Sequence, residues 1–115
     1  SMRFKLIMTL IRPEITKDVI DAAKNAGATG NVILTARGSG VEETKIFGMS
    51  IEDKTDMVMF VVEEHIVQKV LRSIDQHTKL TEPGYGIAIV LEIEQVMGFE
   101  KQIEKIKDRL KSEQL

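Results

Sequence analysis

The chain has 115 residues, 43% hydrophobic and 30% charged, with a net charge of −2 and a pI near 5.7. That length gives one domain, the near-neutral charge supplies no bulk attraction to nucleic acid or anionic lipid, and no apolar run approaches the ~20 residues of a membrane span. Cysteine is absent, which excludes disulfides, thiolate nucleophiles and cysteine-based zinc sites and fits a cytoplasmic chain.

Ser1-Met2 reads as a cloning remnant before a native start. Phe4, Leu6, Met8 and Leu10 then alternate with Arg3, Lys5, Ile7 and Thr9, a period of two that predicts a strand. Pro13 suits a first helical turn, and Ile15, Val19, Ala22, Ala23 and Ala26 fall on one helical face up to Gly27, a residue suited to the position just past a helix end. Residues 32–36 predict a second strand. Residues 38–54 are polar around Gly48 and predict a loop or a mobile hairpin. The apolar run 57–62 predicts a third strand, and Ile66, Val67, Val70, Leu71 and Ile74 a second amphipathic helix. Pro83, Gly84 and Gly86 break the chain before a fourth strand over 87–93.

Two stretches, 9–36 and 60–92, repeat one β-α-β pattern without repeating its residues. Two such units predict an α+β, ferredoxin-like βαββαβ sandwich: a four-stranded antiparallel sheet with two helices on one face. Ile7, Ile33, Val58, Ala88 and Val90 are then expected to make the opposite sheet face apolar too. An antiparallel sheet facing water is polar on that side, so the pattern predicts oligomerisation, sheet face against sheet face. In the tail, Phe99, Ile103, Ile106 and Leu110 predict an amphipathic helix of about three turns, too short to stand alone and expected to dock. The chain divides into a core domain over 2–97 and this helix of the same domain over 98–115.

The residues offer little for catalysis. Glu63-Glu64-His65 is the tightest acid/His cluster and reads as an acidic helix start, and His77 sits where a helix ends. Ser39 lacks the Gly-x-Ser-x-Gly elbow of a serine nucleophile. No Gly-x-x-x-x-Gly-Lys-Ser/Thr phosphate loop is present. RNA-binding sandwiches of this topology display aromatics on their central strands, whereas Phe60 lies inside an apolar run. Met57 and Met59 read as core filler. Two glycine loops remain, Gly38-Ser39-Gly40 and Gly84-Tyr85-Gly86, each readable as a tight turn or as a cradle of backbone N–H groups for an anion.

The order of four motifs resembles the PII signal-transduction family over about residues 3–97. Ile11-Arg12-Pro13 is similar to the family's Ile-Arg/Lys-Pro after strand one, and Gly27-Ala28-Thr29-Gly30 to its turn after helix one. Arg37-Gly38-Ser39-Gly40 is similar to the basic-Gly-x-Gly that opens its T-loop, and Gly84-Tyr85-Gly86 stands where its B-loop has Gly-Asp-Gly. The resemblance implies a non-catalytic homotrimer that binds an ATP-, ADP- or AMP-type effector in clefts between subunits. It implies a T-loop that controls a transporter or a metabolic enzyme of nitrogen metabolism; the residues themselves give no required cofactor, no metal, no contact with nucleic acid and no insertion into membrane. Transferred by position, the effector residues are Arg12, Arg37, Gly38, Gly40, Gly84 and Gly86, and the partner-binding loop carries Glu42, Glu43, Lys45 and Phe47.

The chain also departs from that pattern. Val41-Glu42 replaces the family's Arg-Gln, whose Gln serves Mg²⁺ and 2-oxoglutarate, and the loop is shorter and lacks the modified tyrosine. Ile87 aligns with the B-loop lysine, and the two phosphate-binding arginines fall near Gly98 and Glu100. The alternative expectation is a small-ligand sensor of the same architecture that binds no nucleotide, resembling amino-acid-binding (ACT-like) or divalent-cation-tolerance proteins.

Overall fold

A computed structural model describes residues 3–37, 44–46, 49–51 and 54–98. Strand β1 (Phe4–Ile11) leads through a 3-10 turn at Pro13–Ile15 into helix α1 (Thr16–Asn25). Strand β2 (Val32–Arg37) follows, then two short paired strands, β3 (Thr44–Ile46) and β4 (Met49–Ile51). Strand β5 (Lys54–Glu63) leads through a second 3-10 turn, Glu64–Ile66, into helix α2 (Val67–His77), and β6 (Gly86–Glu92) closes the order. The main sheet runs β2-β5-β1-β6, with every neighbouring pair antiparallel. The expected α+β architecture, two helices against an antiparallel sheet, is present. No helix among the described residues is long and apolar enough to cross a membrane.

Both helices lie on one side of the sheet. Their buried residues, Val19, Ala22 and Ala23 on α1 and Val67, Val70 and Ile74 on α2, meet Ile7, Ile11, Val58, Phe60 and Val62. The register explains why these strand residues act together: Ile7 pairs with Phe60, and Thr9 with Val58. Thr9 is fully buried among them without loss, because its hydroxyl donates to the Val58 carbonyl at 3.0 Å. The two helices are tied to each other by the Ser73 hydroxyl, which donates to the Ala22 carbonyl at 2.7 Å.

This packing corrects the expected assignment of faces. Ile7 and Val58 do not belong to the open side; they are the centre of the core beneath the helices. Ile33, Ala88 and Val90 share that side, at the edge strands. The open side carries Leu6, Met8, Leu10, Met57, Met59, Ile87 and Ile89, mostly half-buried, with Val61 and Leu91 exposed. Alternation could not decide the matter because both parities of β1 are apolar. The two-sided apolar sheet itself is real, on the opposite set of residues.

One strand boundary also moves, and one open alternative is decided. The apolar run predicts the third core strand over 57–62, yet β5 begins at Lys54. Its polar start is accommodated because Asp56, 8% exposed, receives a hydrogen bond from Thr16. Asp56 is therefore sheet, not loop. Within 38–54, the hairpin alternative is the one seen, as Lys45 of β3 pairs with Ser50 of β4. Gly38, Gly40, Glu42, Glu43 and Phe47 lie outside the described residues, as does the tail helix expected over 99–110.

Candidate effector site

Antiparallel pairing brings four chain ends to one end of the sheet: the finish of β1 and β2 and the start of β5 and β6. Ile11 pairs with both Asp56 and Gly86, so the Arg12-Pro13 step and the 84–86 loop are adjacent. Arg12 fastens them twice. Its backbone N–H donates to the Tyr85 carbonyl at 2.9 Å, and its Nε donates to the Gly84 carbonyl at 2.7 Å. The side chain stays 58% exposed, with Nη1 3.8 Å from Glu14 Oε1. One edge of the guanidinium is thus used to hold the loop and the rest faces outward.

The two glycines of this loop answer different needs. Gly84 has φ +84°, a left-handed conformation that side-chain-bearing residues resist, in open space. Gly86 has an ordinary φ, but a Cβ there would sit 2.5 Å from the Leu10 carbonyl oxygen and 2.7 Å from Ile11 Cγ2. The strand can start beside β1 only without a side chain. Successive turns shape the loop before it: Glu82 N–H donates to Lys79 O at 3.0 Å and Tyr85 N–H to Glu82 O at 3.2 Å. Thr81 Oγ1 donates to Asp75 Oδ1 at 2.8 Å, and buried Leu80 and half-buried Tyr85 root the loop in the core.

Sequence reasoning missed three contributors. Two of them are Thr16 and Asp56. Thr16, the first residue of α1, donates from Oγ1 to Asp56 Oδ2 at 2.5 Å, joining the helix start to the root of the β3-β4 segment. A hydroxyl three residues after Pro13 and a lone carboxylate entering an apolar strand are the signals that could have suggested it. Tyr85 is the third: Lys79 Nζ lies 5.8 Å from its ring centroid, a cation-π distance. Lys79 and Tyr85 border an open groove of about 420 Å³ together with Glu14, Asp18 and His77. Ile87, at the aligned position of the family lysine, is half-buried opposite Leu10 and brings no charge. Near the 84–86 loop the charged groups are therefore mixed, Arg12 and Lys79 against Glu14 and Glu82. The described residues contain no cluster of three His, Asp or Glu suited to a metal ion.

Of the six expected effector residues, the fold joins Arg12, Gly84 and Gly86. Arg37 ends β2 opposite Lys54 and leads into Gly38. In the strand order, β2 and β6 are the two opposite edges of the sheet. Three interstrand steps of about 4.8 Å put the end of β2 about 14 Å or more from the start of β6 within one chain. One copy thus holds the two halves on opposite flanks.

Comparison with known proteins bears on this arrangement. The family model for nitrogen regulatory protein P-II matches residues 4–107. Among solved structures, a PII-like signalling protein of Thermus thermophilus superposes with a TM-score of 0.59 at 24% identity, over 84% of this chain and 93% of that one. CPII of Thiomonas intermedia, bound to ADP, AMP and acetate, gives 0.60 at 19% identity, over 81% and 89%. Arabidopsis thaliana PII, bound to citrate, gives 0.60 at 22% identity, over 79% and 78%. No curated protein sequence matches the chain.

Proposed function

The chain belongs to the P-II family, and from that premise we propose that it is a non-catalytic, cytoplasmic regulator that assembles as a homotrimer and binds an adenine nucleotide in the clefts between subunits. The observation that supports this reading is the strand order, which sets the end of β2, at Arg37, and the start of β6, at Gly86, on opposite sheet edges. A ring of copies sets the Arg37 edge of one subunit against the Arg12 and 84–86 edge of the next, which closes a site that a single chain leaves open. The apolar open face, with Leu6, Met8, Met57, Met59, Val61, Ile89 and Leu91, supplies the surface that such a ring buries.

The mixed charges near the 84–86 loop favour a nucleotide of low charge. Phosphate groups bind most strongly through charge-assisted contacts, and here Arg12 already gives Nε to Gly84 while Glu14 and Glu82 stand close by. The site is accordingly read as preferring AMP or ADP to ATP, in line with the ligands of the Thiomonas protein. Residues 38–53 are the output surface, with Glu42, Glu43, Lys45 and Phe47 meeting a partner transporter or metabolic enzyme of nitrogen metabolism.

Calorimetry against AMP, ADP and ATP, with and without Mg²⁺, tests the ligand, and light scattering tests the assembly. The expected result is a three-chain particle and saturable binding with AMP or ADP tighter than ATP. A strict monomer at micromolar concentration sinks the shared cleft. A trimer that binds citrate but no nucleotide moves the site to carboxylate effectors.

A further inference from the structure

The helices cover the central strands β5 and β1 and leave β6 partly bare on the same side. Val90 is 40% exposed and Ala88 is exposed, although they pair across with the fully buried Ile7 and Thr9. The flank of α2 toward α1 is marked by Ser73, bonded to Ala22, and by Ile66, whose Cδ1 lies 3.4 Å from where a Cβ at Gly27 would stand. Helical spacing then sets half-buried Leu71 on the other flank, toward β6. Leu71, Val90 and Ala88 form an apolar ledge between helix and edge strand.

The chain itself carries a segment suited to this ledge. After β6 it runs without regular structure over 93–96 and bends at 97–98, where Gly98 takes φ +90°. Phe99, Ile103, Ile106 and Leu110 follow at helical spacing, with polar residues between them. We infer that residues 99–110 fold back as a helix along β6 of the same subunit, placing Ile103 over Val90 and Ile106 over Ala88. This inference does not rest on the nucleotide reading.

Length and charge support it. Twelve helical residues span about 18 Å at about 1.5 Å each, and the seven residues of β6 about 23 Å at about 3.3 Å each. A segment that starts beside the end of β6 and returns along it therefore stays on the strand. Its second half, with Lys105, Lys107, Arg109 and Lys111, then arrives at the end of α2. The negative end of the α2 dipole lies there, with exposed Asp75 and Glu82 beside exposed Lys79.

The absence of native cysteines allows a direct test in the full chain. Val90→Cys with Ile103→Cys should oxidise to a disulfide within one chain, seen as a single-chain mass under non-reducing conditions. Ile33→Cys with Ile103→Cys, on the opposite sheet edge, should not. A disulfide joining two chains overturns the inference in favour of a neighbouring subunit as occupant, and so does a failure of the first pair to oxidise in folded protein. Hydrogen exchange on the unaltered chain gives a second measure. Amides of 99–110 should be protected at least tenfold over free peptide, and Val90→Lys should remove that protection while α1 and α2 keep theirs. Free-peptide exchange rates in the unaltered chain also overturn it.

Discussion

The chain makes the same β-to-α junction twice, at opposite ends of the sheet. At the first, Arg12 has φ −67° and ψ 138°, and Ile15 φ −106° and ψ 3°. At the second, Glu63 has φ −63° and ψ 140°, and Ile66 φ −103° and ψ 0°. Each junction even clips a neighbouring strand end through one backbone N–H, Arg12 to Tyr85 and Glu64 to Arg3, both at 2.9 Å. The side chains diverge. Glu63 pairs with His65 two residues on, at 3.3 Å, and Glu64 lies 3.9 Å from Lys5. Arg12 instead reaches the 84–86 loop, 72 residues away in sequence, and Thr16 the start of β5, 40 residues away. One backbone device thus serves once to start a helix and once to gather the roots of both loops. What sets the first end apart as the candidate site is the reach of its side chains, not its backbone.

The comparison can be broken most severely at Gly86. Gly86→Ala forces β6 away from β1 against a backbone oxygen that cannot rotate aside, and we expect a loss of about 3 kcal/mol in urea unfolding. A midpoint unchanged within error would mean that the two strands can part there without loss. Next comes the first residue of each helix, Thr16 and Val67, which occupy equivalent positions. Thr16→Val removes the hydroxyl that Asp56 accepts from and should lower stability by about 1–2 kcal/mol. Val67→Thr buries a hydroxyl in an apolar position and should do about the same. If only one of the pair responds in thermal melts, the equivalence fails.

The sharpest contrast in function is Arg12→Ala against Glu63→Ala. Both residues precede a 3-10 turn, yet only the first should weaken nucleotide binding in calorimetry, by about tenfold or more, equivalent to about 1.4 kcal/mol. Equal losses would show that Arg12 has no special place in the site, since removing the Glu63 carboxylate should not by its charge weaken an anionic ligand. The smallest effect belongs to His65→Ala, since an exposed pair contributes little; its unfolding midpoint should match the parent within about 0.5 kcal/mol.

How much of this was legible beforehand depends on whether the residue pattern had one physical solution. Gly27 did: an apolar helical face ended there, and in the structure it has φ +113° and closes the helix, with Gly27 N–H bonded to Lys24 O and Ala28 N–H to Ala23 O. The inward face of β1 did not, because Leu6, Met8 and Leu10 compete with Ile7 and Ile11 for the core, and only the helices choose between them. The start of β5 was hidden for a different reason. Lys54, Thr55 and Asp56 look like loop until Thr16, 40 residues away, is known to partner Asp56. At the site, the Arg12-Pro13 step and the two B-loop glycines were visible as motifs. Their joining was not, since it depends on β1 and β6 becoming neighbours.

That strand order has a genetic consequence. A chain with Arg12→Ala keeps its β2 flank, and a chain with Arg37→Ala keeps its β6 flank. In the proposed trimer, neither builds a whole cleft with copies of itself. In a ring of three that contains both, one junction always sets an intact flank against an intact flank. Co-expressed, the two defective chains should therefore regain up to one binding site per mixed trimer, a complementation between alleles of a single polypeptide.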